Sequence, residues 1–162
     1  MTEQDSESPL DGNDLDDVDL QVINDVAAYG WHVLLIPEEG DLPAFAFSIG
    51  LFYTFQHPEI LMIGQKIENM HQLINGIGES IRAGATFQDG GSYPDVVEGY
   101  DCVFVSVDPT HYDEYLGYAQ WFYQSKDFPT LQCVWPDRHS HFPWDPEASD
   151  WVRQRQPVLN SV

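Results

Sequence analysis

Histidine and carboxylate side chains at short spacing mark the places where this chain can carry out chemistry. His57 and Glu59 flank Pro58, and two such groups so close in sequence can share a proton or a metal ion. His111 and Glu114 have the H-x-x-E spacing that places an imidazole and a carboxylate on one face of a helix. We therefore take His57, Glu59 and His111 as the candidate catalytic residues.

Each of these groups also has a structural interpretation. Pro58 can fix a turn in which His57 caps a strand end through hydrogen bonds. The acids beside His111 suit the positive end of a helix dipole, and the zinc helix motif H-E-x-x-H is absent. Both interpretations stay open for His57 and His111, whereas His71 lies on the apolar stripe of a predicted helix and is expected to be a satisfied core histidine.

A metal site requires histidines that are distant in the sequence to converge in space. Imidazole nitrogen suits borderline divalent metals, and the weak candidate ligands are His32, His57, His111 and His139. The candidate residues for binding a small molecule are Trp31, Ser48, Tyr53 and His57. The sequence identifies no cofactor, since it lacks the phosphate-binding loop, the dinucleotide-binding fingerprint and the G-x-S-x-G serine motif.

The elements that must position these residues follow from the spacing of apolar side chains. Apolar steps of three and four predict helices over 15–29, 66–83 and 109–123. Apolar or alternating runs predict five strands, at 31–37, 44–51, 60–64, 100–107 and 130–135. The stretch 85–99 is rich in Gly, Asp, Ser and Pro and is expected to be a long surface loop, followed later by a second loop at 136–146.

The predicted strand at 44–51 has one face of small residues: Ala44, Ala46, Ser48 and Gly50. Small side chains let another group approach the backbone closely, so this face suits either a packed helix or a ligand. The helix at 66–83 contains two glycines, at 76 and 78, that favour such close packing. We expect this helix to pack on the small-residue face, and a bound ligand is the alternative.

These elements predict an α+β fold with a single domain over 15–162. Its sheet has about five strands, mixed or mainly antiparallel, packed by two to three helices. Residues 1–14 mix Ser, Pro, Gly and acids and are expected to form a disordered acidic arm. Cys102 and Cys133 lie in predicted buried strands and are expected to be reduced core thiols.

The charge balance narrows the choice of partners. There are 27 acidic and 6 basic residues, which gives a formal net charge of −21 and repels phosphate backbones, so DNA or RNA binding is not expected. The acidity suits a highly soluble surface, a salty cytoplasm or a basic protein partner. The chain lacks a signal peptide and any apolar run of membrane-spanning length, so we expect a cytoplasmic protein without membrane contact.

Several segments agree in order with a known family. They are GWHVLLIPEEGDLPAFAFSIGL, QHPEI, VDPTHYDEYLGYAQWFY and FPTLQCVWPD, within about 22–144. Through these segments the chain resembles the bacterial family called domain of unknown function 4262, whose usual features match Trp31 and His32, the FSIGL strand at 47–51, and the HPE turn at 57–59. The resemblance implies no activity, substrate or cofactor.

The leading functional hypothesis is a cytoplasmic binding or regulatory module, which binds a ligand or a protein. Its site is expected near the aromatic-rich connection 51–59. One alternative is a small metal- or cofactor-dependent enzyme that uses His57, Glu59 and His111. A further alternative is an acidic inhibitor or immunity protein for a basic partner. The sequence leaves the oligomeric state open.

Overall fold

The structure, a computed structural model, describes residues 15–162, so the arm expected at 1–14 lies outside the described residues. The strands are β1 (His32–Ile36), β2 (Phe45–Ile49), β3 (Glu59–Ile63), β4 (Ser92–Val97), β5 (Tyr100–Ser106) and β6 (Thr130–Val134). The helices are α1 (Asp17–Tyr29), α2 (Leu51–Phe55), α3 (Ile67–Arg82), α4 (Tyr112–Tyr115), α5 (Gly117–Tyr123) and α6 (Asp150–Arg155). The predicted α+β class is confirmed.

The six strands form one mixed sheet in the order β1-β2-β3-β6-β5-β4. All neighbouring strands are antiparallel except β3 and β6, which are parallel at the middle of the sheet. His32 pairs with Ile49, and Glu59 pairs with Thr130. The starts of β1, β3 and β6 and the end of β2 therefore lie together at one end of the sheet, which we call the β1-start end.

The two faces of the sheet are covered by different helices. Ala44 and Ala46 face the cluster that contains Met70 and Ile74 of α3, so the expected helix covers the small-residue face. Phe47 points to the other face, where α1, α4 and α5 pack. Both faces of the sheet are thus buried, which explains why its inner strands carry apolar residues on both sides.

The N-terminal helix shows why the sequence folds locally as it does. Asp16 caps α1, because its carboxylate accepts a hydrogen bond from the Asp19 amide at 2.8 Å, and the Asp19 carboxylate accepts one from the Asp16 amide at 3.2 Å. The helix ends at Gly30, whose φ of 117° few other residues adopt. Gly30 leads directly into Trp31 and the start of β1.

The structure corrects three sequence expectations. The expected loop at 85–99 contains β4, an edge strand whose weak pattern includes an exposed Pro94. The single helix predicted at 109–123 is divided into a 3-10 helix at Pro109–His111, then α4 and α5. The short helices α2 and α6 were not predicted, because helices of five and six residues leave little periodic signal.

No helix among residues 15–162 combines the length and apolar character needed to cross a membrane.

Candidate functional site

Glu59 opens β3 and its side chain is fully buried. Its Oε1 accepts hydrogen bonds from the Ser48 hydroxyl at 2.6 Å and from the Leu51 amide at 3.2 Å. Its Oε2 accepts hydrogen bonds from the Gly50 amide at 2.9 Å and from the Phe52 amide at 3.3 Å. Three of these donors are backbone amides, one from Gly50, which precedes α2, and two from Leu51 and Phe52, its first residues. Glu59 therefore caps that helix from the start of the next strand.

Gly50 explains why the cap comes from elsewhere in the chain. Its φ is 116°, and a Cβ there would lie 2.7 Å from the Gly30 carbonyl oxygen and 2.9 Å from Cγ2 of Val26. Only glycine fits this position without strain, so the residue that precedes α2 has no side chain with which to cap it. The Glu59 carboxylate fills that role.

The Tyr123 hydroxyl of α5 is the fifth donor to Glu59 and also accepts a hydrogen bond from the Tyr53 amide at 3.1 Å. Burial raises the pKa of the Glu59 carboxyl above its ordinary value, and the hydrogen bonds from Ser48, Tyr123 and the amides of Gly50 and Phe52 oppose that rise. Burial, together with the Glu59 charge, raises the pKa of the Tyr123 hydroxyl. Both oxygens of Glu59 are thus engaged by donors of the protein itself.

His57 is 6% exposed and makes hydrogen bonds through both ring nitrogens. Nδ1 lies 2.9 Å from the Pro58 carbonyl oxygen, and Nε2 lies 3.0 Å from the Phe87 amide nitrogen. Because a carbonyl only accepts and an amide N–H only donates, Nδ1 carries the proton and the imidazole is neutral. Burial lowers the pKa of His57, and the hydrogen bond to Pro58 opposes this effect.

The other candidates lie in separate surroundings. His111 Nε2 lies 2.6 Å from the Ser161 carbonyl oxygen. Ser48 is buried beside Glu59, and Tyr53 is exposed. Within residues 15–162, no hydrogen bond joins any two of the side chains of His57, Glu59 and His111.

The loop at 136–146 is organised by an aspartate. Oδ1 of the buried Asp137 accepts hydrogen bonds from the amides of His139 at 2.8 Å and His141 at 3.1 Å, while the His139 side chain is exposed. Across the part of the chain that the structure describes, no three His, Cys, Asp or Glu side chains cluster closely enough to hold a metal ion. The structure does not bring His32, His57, His111 and His139 together.

A groove of about 550 Å³ lies between α1 and α3 at the start of β1. Its walls include Asp25 and Tyr29 of α1, Trp31 and His32 at the start of β1, and His71 and Asn75 of α3. We call it the α1–α3 groove. The groove follows edge strand β1 from Trp31 to Leu35, so only its Trp31 end lies at the same end of the sheet as the connection 51–59.

Two hydrogen bonds fix the orientation of His32. Its Nδ1 lies 2.7 Å from Oδ2 of Asp25, and Oδ1 of Asp25 accepts a hydrogen bond from Nε2 of Gln21 at 2.8 Å. A carboxylate only accepts, so Nδ1 of His32 carries a proton. Nε2 has no hydrogen-bond partner among residues 15–162, and in the neutral imidazole it is a free acceptor.

Asn75 is oriented in a corresponding way. The indole Nε1 of Trp31 donates a hydrogen bond to Oδ1 of Asn75 at 2.9 Å. Since an indole N–H can only donate, the amide oxygen must face Trp31, and the Asn75 NH₂ group is left free of partners among the described residues. Trp31 itself is held tightly, because a Cβ on Gly78 would lie 2.5 Å from its ring and the Arg82 guanidinium lies 5.0 Å from its ring centroid.

His71 is exposed, which corrects the expectation of a core histidine. The buried stripe of α3 runs through Met70 and Ile74. His71 comes one residue after Met70, about 100° further round the helix, so it points away from the core. Its position places it on the rim of the α1–α3 groove.

The polar partners Asp25 and Asn75 were not found by sequence reasoning. Each directly adjoins a residue of an apolar stripe, Val26 in α1 and Ile74 in α3. Helical periodicity therefore places both beside the core, but the meeting of α1 and α3 across Trp31 is a tertiary feature. No local pattern signals it.

A second cavity, of about 330 Å³, lies between α3 and β4. Its lining includes Phe87, whose amide donates to His57, and Tyr93, whose ring centroid lies 4.8 Å from that of Phe87. His57 therefore positions a wall of this cavity through the backbone of Phe87.

Comparison with known proteins finds one relationship. No curated protein and no solved structure matches the chain. A family model described as domain of unknown function (DUF4262) matches residues 25–149. Because that match spans well over half of the chain, the protein belongs to the DUF4262 family. The matched residues include the glutamate cap, the HPE turn and the lining of the α1–α3 groove except Gln21.

Proposed function

We propose that the protein is a small-molecule-binding module whose ligand occupies the α1–α3 groove. The observation that carries the proposal is that two polar side chains lining this groove, His32 and Asn75, are each oriented by a neighbouring residue. This leaves Nε2 of His32 and the NH₂ group of Asn75 without partners among residues 15–162. The volume of about 550 Å³ falls within the range of small-molecule sites. Side chains oriented before a ligand arrives reduce the entropy lost on binding.

Aromatic residues add a surface on which a ligand can stack. Trp31 is buried, whereas Tyr29 is 48% exposed, and their ring centroids lie 4.7 Å apart. The Arg82 guanidinium lies over the Tyr29 ring, 4.9 Å from its centroid, and the exposed remainder of Tyr29 lies at the edge of the groove. Apolar or aromatic contact combined with a few oriented polar groups is the usual composition of a ligand site.

The connection 51–59 has a supporting role in this proposal. The ring of Phe55 lies 6.2 Å from that of Trp31, and the Thr54 hydroxyl donates a hydrogen bond to the Gly30 carbonyl at 2.7 Å. The connection thus packs behind the start of β1. Glu59 and His57 would then act by positioning, since their polar atoms are already engaged by the protein.

A fragment screen followed by protein NMR tests the proposal. We expect fragments whose chemical-shift changes map to Trp31, His32 and Asn75. The blocking variant is His71→Trp, because His71 is exposed on the groove rim and an indole there fills space without disturbing the core. Asn69→Trp is the matched control, since it adds the same side chain to an exposed position of α3 outside the groove lining. If no fragment shifts these groove residues, the proposal is wrong.

A basic protein partner is a second candidate, favoured by the net charge of −21. Complementary charge would speed the encounter of the two proteins, and salt would weaken it. The test is an affinity purification at low and high salt. A captured basic protein that is retained equally well in both would contradict an electrostatic partnership.

A further inference from the structure

We infer that the cavity of about 330 Å³ between α3 and β4 is a second binding site, separate from the α1–α3 groove. Its ligand is a small arylalkylamine, an aromatic ring that carries a protonated amine on a short chain. The lining comes from α3, from the segment 85–87 and from β4, and it shares no residue with the α1–α3 groove. The inference therefore does not rest on the function proposed for that groove.

Gly76 of α3 gives the cavity part of its space. A Cβ on Gly76 would meet no atom within 4 Å, whereas a Cβ on Gly78 would lie 2.5 Å from the ring of Trp31. Packing against Trp31 thus requires glycine at 78, but no contact among the described residues requires it at 76. The φ of Gly76 is not positive either, and glycine weakens a helix relative to alanine. A ligand that occupies this space accounts for the glycine.

The part of the wall that contains Phe87 and Tyr93 is fixed before any ligand arrives. The Phe87 amide donates a hydrogen bond to Nε2 of His57 at 3.0 Å, and the Gln88 amide donates one to the Tyr93 hydroxyl at 3.0 Å. The rings of Phe87 and Tyr93 pack edge to face. A fixed, largely apolar wall with two aromatic side chains suits a ring, and the volume suits one ring with a short chain.

Asp95 sets the charge that the ligand should carry. It is exposed, and it is the one charged residue in the lining of this cavity. Among residues 15–162 it takes part in no ion pair. The lining contains no Lys, Arg or His, and the net charge is −21, so an anion is repelled. An ammonium group on the ligand would pair with Asp95 while the ring occupies the apolar part of the cavity.

Two variants test the space and the charge separately. Gly76→Leu places a side chain in the open space of the cavity, and urea unfolding should show it to be at least as stable as the wild type, because leucine favours a helix more than glycine does. Gly117→Leu is the matched control, since Gly117 is another helical glycine without neighbours within 4 Å and lies outside the cavity. Asp95→Asn removes the charge and keeps the size.

The probes share a phenyl ring and differ in charge. They are 2-phenylethylamine, which is protonated at pH 7, the neutral 2-phenylethanol and the anion phenylacetate. Binding is followed at low salt through the amide chemical shifts of Thr86 and Val96, which line the cavity. We expect the amine to bind the wild type about three- to fivefold more tightly than the alcohol, because an exposed ion pair contributes modestly, and phenylacetate to bind most weakly.

Gly76→Leu should weaken the amine and the alcohol at least about tenfold, whereas Gly117→Leu should change neither. Asp95→Asn should remove the preference for the amine and leave the affinity for the alcohol unchanged. If no probe shifts Thr86 and Val96, or if a folded Gly76→Leu binds as the wild type does, the cavity is not a binding site. If the three probes bind equally, or if Asp95→Asn keeps the preference, the assignment of an amine is wrong.

Discussion

Replacing Glu59 with glutamine should destabilise the protein strongly, although the two side chains have nearly the same shape. The carboxylate accepts five hydrogen bonds, of which three come from the backbone amides of Gly50, Leu51 and Phe52. The Ser48 and Tyr123 hydroxyls can turn to accept a hydrogen bond, but the backbone amides can only donate. The glutamine NH₂ group must therefore face at least one N–H that points at it.

The magnitude follows from the two possible orientations of the amide. With the NH₂ at the position of Oε1 it opposes one backbone donor, Leu51, and at the position of Oε2 it opposes two, Gly50 and Phe52. The first orientation is favoured. In this orientation the variant loses one charge-assisted hydrogen bond and leaves one buried N–H donor unpaired. Burying a neutral amide is easier than burying a carboxylate and partly offsets this loss, so the free energy of unfolding should fall by about 2–4 kcal/mol.

Urea unfolding at pH 7, followed by circular dichroism, measures this cost as a change in the unfolding free energy. The matched control is Glu98→Gln, because Glu98 is exposed and a surface change of this kind should stay within about 0.5 kcal/mol. Glu59→Ala should cost more than Glu59→Gln, since it leaves all three amides without an acceptor. A Glu59→Gln variant as stable as Glu98→Gln would refute the assignment of Glu59 as the cap of α2.

Three further predictions concern single positions. Because burial lowers the pKa of His57, the unfolded chain binds a proton below about pH 6.5 that the folded protein does not bind, so the free energy of unfolding should fall as the pH drops below that value. In urea titrations His57→Gln should lose this part of the pH dependence, and a pH profile identical to that of the wild type would contradict the reasoning. Gly50→Ala should cost more than about 3 kcal/mol in the same assay, because its Cβ would lie 2.7 Å from the Gly30 oxygen at a positive φ, and a well-folded, equally stable variant would show that reasoning to be wrong. Thr130→Val should leave the free energy of unfolding unchanged or raise it by up to about 1 kcal/mol, because the buried hydroxyl makes no hydrogen bond of good geometry among residues 15–162. Clear destabilisation would show that the Tyr112 hydroxyl, whose pKa the Thr130 side chain influences, is a partner.

The sequence was most informative where apolar periodicity controls the structure. The stripe of α3 through Met70 and Ile74 and the alternation of Ala46 and Phe47 in β2 both appear in the structure as expected. These patterns depend on which side of an element faces the core, which is a property of neighbouring residues. Edge strand β4 was missed because one of its faces is solvated and Pro94 interrupts its pattern.

The chemistry of polar residues was less predictable, because it depends on contacts between distant parts of the chain. His57 and Glu59 stood out by type and spacing, yet the partners that engage them, such as Phe87 and Tyr123, come from later in the sequence. His32 stood out as well, but its role in the groove depends on Asp25 in a different element. A single sequence gives the identity of such groups but not the directions of their hydrogen bonds.

The parallel pairing of β3 with β6 has consequences for the order in which the sheet folds. Strands β1, β2 and β3 follow one another as antiparallel neighbours, so their pairing closes only short loops. Pairing β3 with β6 instead brings residue 59 next to residue 130. Closing this long loop costs chain entropy before the strand pairing can stabilise the fold, so we expect it to form late. The hydrogen bonds that Glu59 accepts from Gly50 and Leu51 form within the first three strands and their connections, whereas the bond from Tyr123 comes from α5, which follows β5 in the chain. One side chain thereby links the local assembly of the first three strands to the final docking of the rest, and its full set of donors exists only in the completed fold.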